Sequence, residues 1–94
     1  MKYIVVYNDY YGGFSLSKLA EELLVQQGHI NPYDLPRHHP DLVALVSLLG
    51  KKANGEYANL EICEVSGKYF IRDYDGQEKV VEPQDLEWAD PEKY

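Results

Sequence analysis

Apolar side chains recur at Leu42, Leu45, Val46 and Leu49, the i, i+3, i+4, i+7 spacing of one α-helical face. Val43, Ala44 and Leu48 fill much of the remaining circumference, and Ser47 is the only polar residue in that span, so the pattern predicts a helix covered on more than one side. Pro40 suits a first helical turn, where no amide hydrogen is missed, and Asp41 complements the positive end of the helix dipole. Lys51 and Lys52 suit the opposite end, and Asn54-Gly55 tolerates a left-handed stop.

The flanking segments carry other periods. Residues 2–8, KYIVVYN, form a continuous run of β-branched, aliphatic and aromatic residues, which predicts a strand buried on both faces and central in its sheet. A first helix is expected to end near Gln27, before Gly28, with Leu16, Leu19, Ala20, Leu23 and Leu24 inward and either Ser15 or Ser17 as its cap. His29–Pro36 has two prolines and no period, and reads as a connector that Ile30, Tyr33 and Leu35 can pin to the core. After Gly55 the period shortens to two. Residues 58–65 and 68–74 read as strands joined at Ser66-Gly67, and Asp75-Gly76 signals a type I′ hairpin leading to a short, charged edge strand at residues 77–82.

The order β-α-α-β-β-β predicts an α+β fold, a mostly antiparallel sheet with two helices on one face. Residues 1–82 are expected to form a single domain, and 83–94 an acidic, loosely held tail with Leu86 and Trp88 for docking.

Charge narrows the partners. The chain carries a net charge of −7, and residues 73–94 hold eight acids against Lys79 and Lys93. Nucleic acid requires a cationic footprint, and no cluster larger than Lys51-Lys52 exists, so nucleic-acid binding is not expected. The single cysteine, Cys63, excludes an intrachain disulfide and points to a reducing, cytoplasmic compartment; it reads as a small buried hydrophobe in a strand. The amino-terminal apolar run is too short for a secretory signal or a membrane span.

Arg37-His38-His39 concentrates titratable donors just before a helix amino terminus, which is the chemistry of an anion or phosphate site. Tyr11 and Gly12-Gly13, between a strand and a helix, are candidates for its opposite wall. The competing structural reading pairs Arg37 with a carboxylate such as Asp34 or Asp41 while a histidine caps the helix. His29, His38, His39, Asp34 and Asp41 are possible metal ligands, but adjacent histidines diverge and no HxxxH or HxH spacing occurs, so no metal is expected. Asp73 and Asp75 read as a hairpin tip, and no residue set marks a catalytic centre or a cofactor. Nine tyrosines, with Tyr10, Tyr11, Tyr57 and Tyr74 near loop ends, favour interfaces and ring stacking.

The segments YGGFSLS, RHHPDLVALVSLLGKKANGEYANLEICEV and DYDG together resemble a family of small, uncharacterised proteins of bacteriophages and large DNA viruses. That family carries YGGF-x-LS, an R-x-D/H-P-DL-V helix ending near G-x-x-ANG, an A-x-L-x-I-V-E-I strand and an E-Y-D-G turn. The resemblance covers about residues 3–82. The chain departs from the pattern at Ile71-Arg72-Asp73-Tyr74 and Gln77-Glu78-Lys79, where the family commonly has IEEYDG and an aromatic soon after the turn. The resemblance implies a viral origin and a shared fold. With the small size and acidity, it leads to the expectation of a non-catalytic viral accessory protein. Such a protein would bind and neutralise a host protein or a small phosphorylated signalling molecule in the host cytoplasm, and could act as a homodimer. The alternatives are a small phosphoester- or nucleotide-processing enzyme using His38 or His39 with Arg37, and a virion structural protein.

Overall fold

Strand β1 (Tyr3–Asn8) runs antiparallel to β2 (Leu60–Val65), with Tyr3 opposite Val65 and Asn8 opposite Leu60. Val5 and Val6 are both fully buried, as their uninterrupted apolar run requires, but β1 has β2 as its one strand neighbour and is not central in a sheet as that run also suggested. The computed structural model describes residues 2–85. Helices α1 (Lys18–Gln26) and α2 (Pro40–Leu49) follow β1, and a hairpin of β3 (Phe70–Tyr74) and β4 (Gln77–Val81) closes the order. The fold is α+β, as the period changes predict. No helix among the described residues is long and apolar enough to cross a membrane.

Side chains alternate along a strand, so Val6 and Leu60 share one face of the β1–β2 ribbon and Val5, Cys63 and Val65 the other. Val6 and Leu60 join Leu16, Ala20, Leu24, Leu42, Leu45, Val46 and Ala53 in the main buried cluster, which places both helices over that face. Val5, Val65 and, from β4, Val81 are buried outside this cluster.

The expected single sheet is instead two two-stranded sheets, β1–β2 and β3–β4. Ser66-Gly67 does not close a hairpin, because the end of β2 is tied to the end of β4: the Ser66 amide and hydroxyl both donate to Glu82 Oε2, at 3.0 and 2.9 Å. The β3–β4 turn itself forms as its sequence demands, with positive φ at Asp75 (54°) and Gly76 (87°). The strand expected at a solvated edge, β4, buries Glu78 and Val81 and turns toward β1, while β3 exposes Phe70, Arg72, Asp73 and Tyr74. β4 pairs with β3 alone and so keeps the edge position its charge suggested, but an ion pair described below buries its Glu78 instead of leaving it in solvent.

Ser17 is the α1 cap, accepting from the Ala20 amide at 3.1 Å and donating to the Lys52 carbonyl at 2.6 Å. Leu19, expected inward, is exposed. In α2 only Leu42, Leu45 and Val46 are buried; Leu48 is 82% exposed and Ala44 also faces solvent, so the helix has one covered face rather than several. Two short helices and one ribbon face supply cover on that side alone. The helix stops at Gly50 (φ 57°), before the expected Asn54-Gly55, and a short 3-10 turn over Gly50–Ala53 follows. Asn54 bridges to Leu16, and its side-chain oxygen accepts from the Leu60 amide. In the connector Ile30 is 97% exposed; Pro32 is buried, and the Tyr33 hydroxyl accepts from the Leu16 amide. Past Asp85, the expectations for Leu86 and Trp88 lie outside the described residues.

Candidate functional site

The outer edge of β1 is satisfied by groups that are not a strand. The Val6 amide donates to the Arg37 carbonyl at 2.9 Å, and the Asn8 amide to Glu78 Oε1 at 2.9 Å. Arg37 then reaches the same carboxylate with both terminal nitrogens, Nη1 to Oε1 at 2.6 Å and Nη2 to Oε2 at 2.9 Å. The Glu78 side chain is 5% exposed and that of Arg37 23%. The guanidinium carbon sits 3.6 Å from the centroid of the Phe14 ring. A planar fork on a buried carboxylate, stacked on an aromatic face, uses the properties that distinguish arginine from lysine. Asn8, fully buried, completes the junction: its amide nitrogen donates to the Tyr10 and Gly76 carbonyls and its oxygen accepts from the Asn59 amide.

The residues singled out in sequence separate in space. Arg37 pairs with Glu78, a partner 41 positions away rather than the neighbouring Asp34 or Asp41. His38 points to another surface, where its Nδ1 lies 2.7 Å from the Tyr69 hydroxyl; a cavity of about 520 Å³ beside it is lined by Tyr3, His38, Gly67, Lys68 and Tyr69. His39 caps α2, its Nδ1 accepting from the Asp41 amide at 3.1 Å. Gly12 lies against Tyr57, and Tyr11 and Gly13 hold their backbones against Gly76. The glycine loop does meet the Arg37 segment, but through Phe14.

A second cavity of about 520 Å³ combines charge with aromatic surface. It is lined by Tyr7, Asp9 and Cys63 on the β1–β2 side and by Arg72, Tyr74, Gln77, Glu78, Lys79 and Val80 from the hairpin. Arg72 and Lys79 are direct cross-strand partners. Like charges so placed destabilise a strand pair. The neighbouring acids Asp73 and Glu78 are also opposite each other, yet each is occupied: Asp73 accepts the Gly76 amide and Glu78 holds Arg37. Among the described residues neither Arg72 nor Lys79 makes an ion pair. Of the remaining acids, Asp9 accepts from the Gln77 side-chain amide at 3.0 Å.

Two side chains of this cleft, the Tyr7 phenol and the Cys63 thiol, are shifted toward their neutral forms. Burial, then the nearby Asp9, raises the Tyr7 phenol; burial, then Glu82, raises the Cys63 thiol. Cys63 is half-buried on the cleft wall rather than packed in the core as its strand context suggested. A thiol pushed upward is a poor nucleophile at neutral pH.

No protein-family model, curated protein or solved structure matches the chain.

Arg72, Lys79 and Tyr7 were missed in the sequence as site residues. The signal was present for the first two: a two-residue turn at Asp75-Gly76 sets Tyr74 opposite Gln77 and therefore Arg72 opposite Lys79. Tyr7 joins them only because the hairpin and the ribbon lie together, which no local pattern encodes.

Proposed function

We propose that this protein binds a small phosphorylated molecule carrying a planar ring, and holds it intact, in the cleft between Tyr7 and the β3–β4 hairpin. The observation that carries the reading is the Arg72–Lys79 pair, two cross-strand cations lining a cavity with aromatic walls and without carboxylate partners among the described residues. Local rules are broken most often where function requires it, and an anion between these cations relieves their repulsion. Arg72 offers a planar fork to phosphate oxygens, Lys79 a mobile point charge, and Tyr7 and Tyr74 offer ring faces.

Two side chains of the cleft support binding without turnover. General acid–base catalysis needs a group poised near the working pH, and the Tyr7 and Cys63 side chains are shifted away from it. The enzyme alternative through Arg37, His38 and His39 is less favoured, since the Arg37 fork is occupied by Glu78, His39 Nδ1 by the helix cap, and His38 faces a different cavity. In the setting that the motif resemblance implies, the ligand is a host signalling compound and the protein a viral accessory factor that neutralises it.

Incubating the purified protein with host cell extract, re-isolating it and denaturing it tests this reading. An anionic, ultraviolet-absorbing compound released unchanged is the expected result. Release of an altered compound supports an enzyme, and release of none supports a protein-binding or virion role.

A further inference from the structure

The ends of the two helices bring together His29, His39 and Asp41, whose ligating atoms all lie within 4.8 Å of one another. We propose that these three side chains form a binding site for a divalent transition-metal ion of the zinc class. The expectation of no metal rested on local spacing, and His38 and His39 do diverge; the second imidazole comes from beyond α1 instead. Gly28, at φ 103°, turns the chain there, and the His29 amide donates back to the Leu24 carbonyl at 3.1 Å, which fixes His29 at the helix end. His29 Nε2 lies 2.7 Å from Asp41 Oδ2, and its ring meets that of His39 edge to face at 5.0 Å.

The donor set of two imidazoles and one carboxylate suits zinc, cobalt or nickel and not calcium or magnesium, which require oxygen shells. Tetrahedral zinc with bonds of about 2.0 Å places ligand atoms about 3.3 Å apart, between the 2.7 Å and 4.8 Å found here, so side-chain rotation suffices to close the site. All three residues are half-buried, leaving a fourth position for water. The positive end of α2 opposes a cation, and the Asp41 carboxylate offsets it. Where His39 Nδ1 is the ligating nitrogen, the Asp41 amide that it caps is a first-turn helix donor that water can satisfy in its place.

Titration of the full-length protein with Co2+, followed by visible d–d absorption and then by competition with Zn2+, tests the site. The expected result is one equivalent bound, displacement by Zn2+ but not by Mg2+, and at least tenfold weaker binding in His29→Gln and Asp41→Asn, with His38→Ala unchanged. Circular dichroism confirms that each variant is folded. Long-range 1H–15N spectra of the unmutated protein give a second reading, with the ring nitrogens of His29 and His39 shifting on Zn2+ addition and those of His38 remaining in place. Absence of stoichiometric binding, equal loss in His38→Ala, or shifts confined to His38 would overturn the proposal and leave a hydrogen-bonded tether between helix ends.

Discussion

Replacing Arg37 tests whether this residue holds the fold together. Arg37→Met keeps an unbranched chain that can lie on Phe14 and removes only the charged fork. Glu78 is then left with a single donor, the Asn8 amide, in a setting where its side chain is 5% exposed. Breaking a buried pair from one side costs about 3–5 kcal/mol; because the Arg37 side chain remains 23% exposed, the low end, about 3 kcal/mol, applies. A domain of 94 residues has about 5–14 kcal/mol in total, so the variant stays folded with a much reduced margin. Its urea midpoint should fall by roughly 1–3 M at an unchanged slope. Glu78→Gln leaves Arg37 free to reach water and should cost less. The double variant Arg37→Met/Glu78→Gln should lose about 2 kcal/mol less than the sum of the singles, since neither charge is then stranded. Additivity within about 0.5 kcal/mol, or a loss below about 1 kcal/mol in Arg37→Met, would refute the reasoning.

Gly76→Ala should destabilise by more than about 1 kcal/mol in thermal or urea unfolding, because φ is 87° and the new Cβ would meet the Tyr11 carbonyl oxygen and the Gly13 nitrogen, both backbone atoms. Cys63 should be alkylated by iodoacetamide more slowly than a free thiol at pH 8 and approach it only well above the ordinary thiol value of about 8.5, since burial raises its pKa. Glu82 is held below the ordinary carboxylate value of about 4.3 by the Ser66 amide and hydroxyl. Its contribution to stability is therefore present above that value and lost as pH falls through the lower folded one; Glu82→Gln should flatten the acid limb of a melting-temperature profile without altering its shape above pH 6.

Legibility followed the range of each interaction. The DYDG turn, the inward face of α2 and the β1 run were readable because a type I′ turn, a 3.6-residue period and an uninterrupted apolar stretch are local consequences of sequence. Ser17 rather than Ser15 caps α1 because Ser17 also reaches the Lys52 carbonyl, a contact that exists only once the helices dock. The failed β2–β3 hairpin has the same origin, since the Glu82 carboxylate takes both Ser66 donors from 16 positions away. For the candidate sites, residue types were legible and partners were not. Arg37 was singled out as a phosphate clamp, and its fork instead meets an acid on a strand whose charge suggested a solvated edge.

Isothermal calorimetry of the protein with mono-, di- and cyclic nucleotides, repeated with Arg72→Gln/Lys79→Gln, tests the central claim most directly. Binding to at least one member of the panel is predicted, weakening as salt rises. Each lost charged hydrogen bond is worth about 1.5–3 kcal/mol, so the double variant should bind at least a hundredfold more weakly. With no ligand present the same variant should be no less stable than the parent, because a like-charge pair has been removed. Absence of heat across the panel, or equal affinity in the double variant, would contradict the account.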